Sequence, residues 1–388
     1  MKQTFINKAR LWVLEPFGAG RFAQRPDFVL LTTIGGLFLF GLLMLSSAST
    51  VIAFQEYGDS YFFLKRQLIN GFIPGIILFL VALKLPYQIW KKLAFWMLII
   101  SLGLLVLVII PGIGVAHGGA QRWLSIAGID FQPSEIVKIT FLIYLATWLE
   151  KKGKHGLQDI EYGTIPFLTV LGTIALLILL QPDLGTLLVI MAMSFALYYL
   201  AGAPWKHIGV ISAMTIGIII VLMVASPYRA QRLQTFFGGG DALGGGYHIS
   251  QAKIAIGSGG LFGLGLGHSK QKFKYLPEVQ GDSIFAIIAE EMGFVIGTLV
   301  IAGFIVLLLR GLRVARGSPD DFGRFLASGI TVWFVFQALV NMAAMMNLVP
   351  LTGITLPFIS YGGSSLAISF FAIGILLNIS KQSKLPAV

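Results

Sequence analysis

The chain contains no cysteine, which excludes disulfides, thiol catalysis and cysteine-based metal sites. Charge is scarce: Asp, Glu, Lys and Arg make up 12% of 388 residues, about half the share of an ordinary soluble domain. Acids are the scarcer kind, 17 against 28 basic residues, for a net charge of +11. The five histidines are scattered; His117, His248 and His268 lack the spacing of a zinc motif. Long alternating stretches are missing too, so a β-barrel is not expected.

Hydrophobic residues fill the space, at 56% of the chain and a mean hydropathy of +0.84. Continuous runs such as 93–110, 165–180 and 296–309, with their apolar flanks, approach the roughly 20 residues that cross the hydrocarbon. Lipid admits only structures that satisfy their own backbone hydrogen bonds, and continuous runs do so as helices. The chain therefore reads as an all-α polytopic membrane protein, with ten transmembrane helices expected at 28–54, 67–83, 92–111, 133–149, 164–181, 182–202, 207–225, 282–309, 325–347 and 363–379.

The positive charge is a topology signal and not a nucleic-acid footprint. Lys8, Arg10 and Arg25, then Lys91 and Lys92, then Lys151, Lys152 and Lys154, then Arg310, Arg313, Arg316 and Arg324 fall on one side. Short segments of the other side carry only Lys65, Arg66 and Arg122. The positive-inside rule predicts that both termini are cytoplasmic, and the chain is expected to stay in an inner or plasma membrane as a multi-pass protein. The expected organisation is a basic tail (1–27), a ten-helix body (28–380) and a short tail (381–388). The first span is too long for a signal-peptide core and reads as an uncleaved anchor. FINKARLWVLEPF in the first tail reads either as an interfacial segment or as a solvated basic tail.

Spans seven and eight are separated by a large extracytoplasmic loop, 226–281. Loops this long are usually functional or disordered. GGGDALGGG (238–246) predicts a hinge, and Ile249, Ala252 and Ile256 share one face of a short helix. Glycines 263, 265 and 267 follow no strand and lack the Gly-Lys-Ser/Thr ending, so no nucleotide loop is read there. The loop is rich in cations and amides, including Gln251, Lys272 and Lys274, which as a set beside carboxylates suit an anionic ligand such as a phosphorylated lipid. Taken singly, each reads equally well as a solvated charge.

Two corners, FQPSEIVK (131–138) and QPDLGT (181–186), open spans with Gln-Pro and an acid. Proline at the first helical position and an acid at the helix start explain Asp183. Glu135 and Lys138 share a face, and an unpaired ammonium at depth costs roughly 2.5–3.5 kcal/mol, so they are expected to form a structural ion pair.

KYLPEVQGDSIFAIIAEEMGF (274–294) carries Glu278, Asp282, Glu290 and Glu291 into the eighth span. Asp282 is expected at the water interface, with Ala286, Ala289 and Gly293 below it as a small-residue stripe that either packs helices or admits a lipid tail. Glu290, about 12 Å deeper by helical rise, and Glu291 read as buried structural acids or parts of an ion path. Position makes Asp282 the catalytic candidate. NLVPLTGITLPFISYGGSS (347–365) breaks helix near the same boundary, which predicts a polar outer cavity.

These segments, together with QRWLSIAGIDFQPSEIVK and GLGLGHSKQKFKYLPE, resemble the signatures of the SEDS family of bacterial shape, elongation, division and sporulation proteins over nearly the whole chain. GHSKQKFKYLPE and GITLPFISYGGSS are more similar to its division branch, IAIGSGG to its elongation branch. The resemblance implies a peptidoglycan glycosyltransferase that polymerises lipid II on the outer face of the membrane. It also implies a class B penicillin-binding protein and other divisome membrane proteins as partners. It maps the family's essential aspartate onto Asp282, although Gln280-Gly281-Asp282-Ser283 departs from the common His-Thr-Asp-Phe.

Diphosphate is already a good leaving group, so the transfer needs one base and positive charge for the departing anion. The expectation is Asp282 as base and as a ligand for Mg²⁺ or Mn²⁺, with Arg122, Lys272 and Lys274 on phosphate and Gln251 on substrate. A lipid II flippase is the rival reading. A pure scaffold is the third, and it requires Asp282 to be dispensable.

Overall fold

The computed structural model describes residues 25–117, 120–126, 128–213, 217, 236 and 246–383. Most of the seventh span, most of GGGDALGGG, Arg229, Arg232 and the greater part of both tails lie outside the described residues. Helices run α1 (Phe28–Tyr57), α2 (Phe62–Lys84), α3 (Gln88–Ile109), α4 (Pro133–Gly156), α5 (Ile160–Leu179) and α6 (Leu184–Leu200). They continue with α7 (Tyr247–Ser258), α8 (Ile284–Gly317), α9 (Asp321–Met345) and α10 (Gly363–Lys381), and residues 205–213 are helical too. Seven of them are long and apolar enough to cross a membrane; α6 is apolar but shorter, and α4 is long but carries charges. The predicted helix ends move by several residues, as at α2, which starts at Phe62 instead of 67.

One element departs from an all-helical reading. Residues 114–131 form a small antiparallel sheet, β1 (Gly114–His117), β2 (Ala120–Ile126) and β3 (Ile129–Phe131) in the order β1-β2-β3. Val115 faces Trp123, Leu124 faces Phe131, and a bulge falls between Val115 and Ala116. Turn glycine Gly128, at φ 79°, supplies the left-handed conformation that lets β2 return as β3.

Local chemistry sets the helix ends. Asp27 caps α1 by accepting from Leu30 N at 2.9 Å, and Gly58 closes that helix at φ 70°. Asp27 also pairs with Arg310 of α8 at 2.9 Å, and its backbone N–H donates to Ser380 of α10, so three helix ends meet there. Asp183 caps α6 through Thr186 N at 3.1 Å and accepts from Gln132 and Ser134, joining the two Gln-Pro corners. α4, α9 and α10 form the enclosed centre: α9 packs on α6, α4 and α8, and α10 lies along α2. Trp333, Phe334, Phe141 and Phe322 fill the space between them.

α8 begins at Ile284 rather than at Asp282, and it is broken inside. Gly293 has φ 74° and ψ −176°, an extended left-handed conformation open to glycine at little cost. The break frees backbone groups at the depth of packed helices, and residues 260–265 of the long loop take them up. Leu264 N donates to Glu290 O at 3.0 Å and Gly265 N to Glu291 O at 2.9 Å. In return Gly260 O and Leu261 O accept from Phe294 N and Val295 N at 2.9 and 3.1 Å. The small residues that looked like a groove below Asp282 are where this loop packs: Ala286 and Ala289 are buried, and Gly259 sits against the Ala289 carbonyl.

An added Cβ at Gly293 would strike the Gly263 nitrogen and the Leu261 carbonyl, and its backbone would be strained by about 1–3 kcal/mol in addition. Gly293→Ala should therefore lower the thermal unfolding midpoint of the purified protein. At Gly297 the new methyl would meet only the Phe285 ring at 3.9 Å, so Gly297→Ala should leave the midpoint unchanged or raise it.

Candidate functional site

The acid-bearing turn precedes α8. Residues 277–283 fold so that Gly281 N and Ser283 N both donate to Glu278 O, at 2.9 and 3.2 Å, with Glu278 itself left-handed at φ 50°. The Ser283 hydroxyl donates to Pro277 O at 2.7 Å and closes the turn. Asp282 stands half-buried at its end.

A second irregular segment, 347–362, lies across this turn. A Cβ on Gly353, at φ 71°, would be 3.9 Å from Asp282 Oδ2, so the backbone there runs close over the carboxylate. Tyr361 N donates to Gln280 O at 2.8 Å, joining the two segments directly. α2 carries a π-helical stretch, Gln67–Phe72, that turns buried Gln67 toward this segment, where it donates to Ser360 O and accepts from Gly362 N. Such insertions frequently mark functional sites.

From below, α9 supplies two amides one turn apart. Asn341 donates to Asp282 O at 2.8 Å and to Ile354 O at 2.7 Å. Gln337 donates to Thr355 O at 2.9 Å, while its Oε1 accepts from Trp333 Nε1 and Lys138 Nζ. Lys138 Nζ is 2.8 Å from Glu135 and lies over the Trp333 ring at 4.9 Å; both charged side chains are buried. The pair thus belongs to a chain of bonds that reaches the 347–362 segment. Asn341 Oδ1 and Thr352 Oγ1 are buried with no hydrogen-bond partner among the described residues.

The carboxylates crowd one another. Although Glu278 reaches solvent, lost hydration, then the charge of Asp282, then that of Glu56 hold its carboxyl above the usual range. Burial pushes the Tyr361 hydroxyl up, while Arg66 beside it draws it back. Among the described residues no group of three or more His, Asp or Glu side chains could hold a metal.

The structure does not bring all the expected cations to this acid. Arg122 spends its guanidinium on the α5–α6 corner, with Nε 3.0 Å from Gln181 O and a further bond to Pro182 O. Lys272 is buried: Nζ lies 2.9 Å from Glu291 and 2.7 Å from Gly267 O. It borders a cavity of about 490 Å³ with Ser46, Ser47, Thr50 and Tyr61. Lys274 is exposed at φ 67°, and Gln251 is half-buried on α7. α7 is the helix expected in the loop, with Ile249, Ala252 and Ala255 buried and Ile256 only half so.

Glu290 and Glu291 are loop anchors. Glu290 accepts from Ser269 Oγ and from Lys270 N at 2.9 Å; Glu291 accepts from Ser47 Oγ at 2.6 Å and Ser269 N at 3.3 Å besides its bond to Lys272. Both therefore hold residues 269–272 over the helix break.

Lys272→Met would leave the Glu291 carboxylate buried without its cation, which costs about 3–5 kcal/mol. The unfolding midpoint of Lys272→Met should fall, and the double variant Lys272→Met with Glu291→Leu should recover most of the loss. A lysine whose role was only to contact a ligand would leave the midpoint of the ligand-free protein unchanged.

The model of the cell cycle protein family that groups FtsW, RodA and SpoVE matches residues 28–385. The chain is 44% identical over 361 residues to the probable peptidoglycan glycosyltransferase FtsW of Trichlorobacter lovleyi, covering 92% of this chain and 94% of that protein. It is 41% identical over 360 residues to the stage V sporulation protein E of Bacillus subtilis, covering 92% and 98%. Among solved structures, a chain of a peptidoglycan synthase complex that coordinates polymerization and crosslinking superposes with a TM-score of 0.78 at 26% identity, covering 92% and 98%. The rod shape determining protein RodA of Thermus thermophilus superposes at 0.68 with 26% identity, covering 93% and 98%. A match along nearly the full length, in sequence and in fold, makes this chain a member of the FtsW/RodA/SpoVE family.

Proposed function

We propose that this chain is a peptidoglycan glycosyltransferase that polymerises lipid II into glycan strands at the outer face of the cytoplasmic membrane. The observation that carries the reading is Asp282, half-buried beneath the 347–362 segment with its backbone held by Asn341. The relatives named FtsW support the septal synthesis that the resemblance to the division branch implies, over elongation. The solved synthase complex supports work alongside a crosslinking partner, a class B penicillin-binding protein; other divisome membrane proteins are partners that the family resemblance implies.

Asp282 is the general base. It takes the proton from the acceptor sugar hydroxyl as that oxygen attacks the anomeric carbon of the donor, and the bond to the lipid diphosphate breaks with inversion. The departing diphosphate anion keeps the bonding electrons and needs positive charge. Lys274, exposed and three residues ahead of the turn in sequence, and Arg66, beside Tyr361, form no buried ion pair among the described residues. Asn341 Oδ1 and Thr352 Oγ1 offer bonding capacity to sugar hydroxyls. Glu278 and Asp282 fit a Mg²⁺ or Mn²⁺ ion, because such ions bind through one or two carboxylates plus substrate phosphate and need no dedicated protein cage. When bound, the ion neutralises diphosphate charge.

The orientation follows from the same reading: both termini lie in the cytoplasm, and Arg310, Arg313, Arg316 and Arg324 flank the α8–α9 turn on that side.

Purified protein, with and without its cognate penicillin-binding protein, should convert labelled lipid II into a glycan ladder. Asp282→Asn should lower that rate at least 100-fold, and chelation of divalent ions should stop it until Mg²⁺ or Mn²⁺ is returned. A wild-type ladder from Asp282→Asn would remove the base assignment. Lipid II translocation across vesicles without any ladder would favour a flippase.

A further inference from the structure

Ser283 occupies the position where the family pattern carries Phe, and the structure gives it a partner in the long loop. His248 on α7 places Nε2 2.7 Å from Ser283 Oγ. Ser283 is fully buried, and its hydroxyl stands 2.7 Å from Pro277 O and 3.4 Å from Asp282 Oδ1. The hydroxyl has one proton, and Pro277 O can only accept. With that proton on Pro277 O, the 2.7 Å contact to His248 requires the imidazole to donate Nε2–H to Oγ. The donated bond polarises the hydroxyl and strengthens its bond to Pro277 O, the bond that closes the turn carrying Glu278 and Asp282.

We propose that His248 is a positioning residue for the glycosyltransferase reaction, fixing the Asp282 turn through Ser283. This inference rests on the role of Asp282 proposed above. Asn341 fixes the main chain of the acid from α9, and the His248–Ser283 bond fixes the turn from the loop side. The loop in turn is bolted to α8 below the turn, through Glu290 and Glu291. α7 also packs along α8, with Ile249, Ala252 and Ala255 buried, and the His248–Ser283 bond couples its position to the aspartate turn. A misplacement of about 1 Å in a reacting group costs on the order of 100-fold in rate, which sets the expected size of the effect.

The test is steady-state glycan polymerisation by the purified full chain with its cognate penicillin-binding protein and labelled lipid II. His248→Ala should lower kcat 10- to 100-fold with KM within about twofold. His248→Gln, whose side-chain amide again offers an N–H donor, should restore kcat to within about fivefold of wild type. Ser283→Ala, which also removes the bond to Pro277 O, should be at least as slow as His248→Ala, and the double variant should be no slower than Ser283→Ala, because the His248 substitution then has no bond left to remove. The thermal midpoints of the single variants identify any that fail to fold, and the Gln variant then carries the comparison. Wild-type kcat in His248→Ala, losses that multiply in the double variant, or a folded His248→Gln as slow as the alanine variant would each overturn the proposal. Asp282→Asn run in parallel separates the two readings. Full activity there removes the base itself, whereas its loss beside a wild-type His248→Ala removes only the positioning role.

Discussion

Backbone amides that leave a helix inside a membrane protein must find partners where water is scarce, and one place in this fold turns on that constraint. The break at Gly293 exposes the carbonyls of Glu290 and Glu291 and the amides of Phe294 and Val295, and residues 260–265 bond to all four. The side chains of the same two glutamates then bind residues 269–272. Main chain and side chain thus act on one segment from one turn of helix. The long loop is therefore a structural part of α8, and its position sets that of residues 274–283, which bring the carboxylates of the site.

The other half of the site depends on buried charge. Glu135 and Lys138 cost desolvation energy that their own attraction only partly returns, and an apolar pair would fill the same volume with less penalty. Direction is what an apolar pair lacks. Lys138 orients Gln337, Gln337 holds Thr355, and Asn341 one turn further along α9 holds Ile354 and the main chain of Asp282. The irregular 347–362 segment and the aspartate are thus referred to one rigid helix that is itself enclosed by α4, α6 and α8. Precision in a reacting group demands such a frame, since hydrogen bonds fix orientation where packing of flexible apolar side chains does not.

Much of this could be read from residues alone, and the failures share a cause. Apolar runs of about 20 residues marked the spans because hydrocarbon thickness is a strong and local constraint. Asp282 emerged because an acid at a helix mouth beside cations is expensive anywhere else, and Ile249 with Ala252 disclosed α7 through their spacing. The small sheet was missed because it lies between the spans expected at 92–111 and 133–149, and its central strand AQRWLSI holds a single β-branched and a single aromatic residue, too weak a strand pattern to register. Lys272 looked like a ligand contact because its acid, Glu291, lies 19 residues away and below a break that only a left-handed glycine reveals. Arg122 likewise gave no sign that its acceptors would be carbonyls of another corner. Pairings between distant segments leave no periodic trace, so position alone assigned these cations to solvent or ligand.

The disposition of charge also bears on whether such a bundle moves a lipid or joins one to another. Transport of a charged headgroup across the bilayer calls for polar groups that become available along the path. Among the described residues the deep acids are engaged: Glu135 with Lys138, Glu290 with the loop, and Glu291 with Lys272 and Ser47. Between the two ends of the bundle, α4, α9 and α10 are closed by Trp333, Phe334 and Phe141. At the opposite end Asp27 and Arg310 bind three helix termini together. The exposed Glu278 and the half-buried Asp282 instead gather at one end, with Arg66 at Tyr361 of the backbone segment that runs over the aspartate. Two carboxylates gathered at one end, above a centre that the described helices fill, suit a substrate that arrives and leaves at that end, as the donor and acceptor of a polymerase do when both lie in one leaflet.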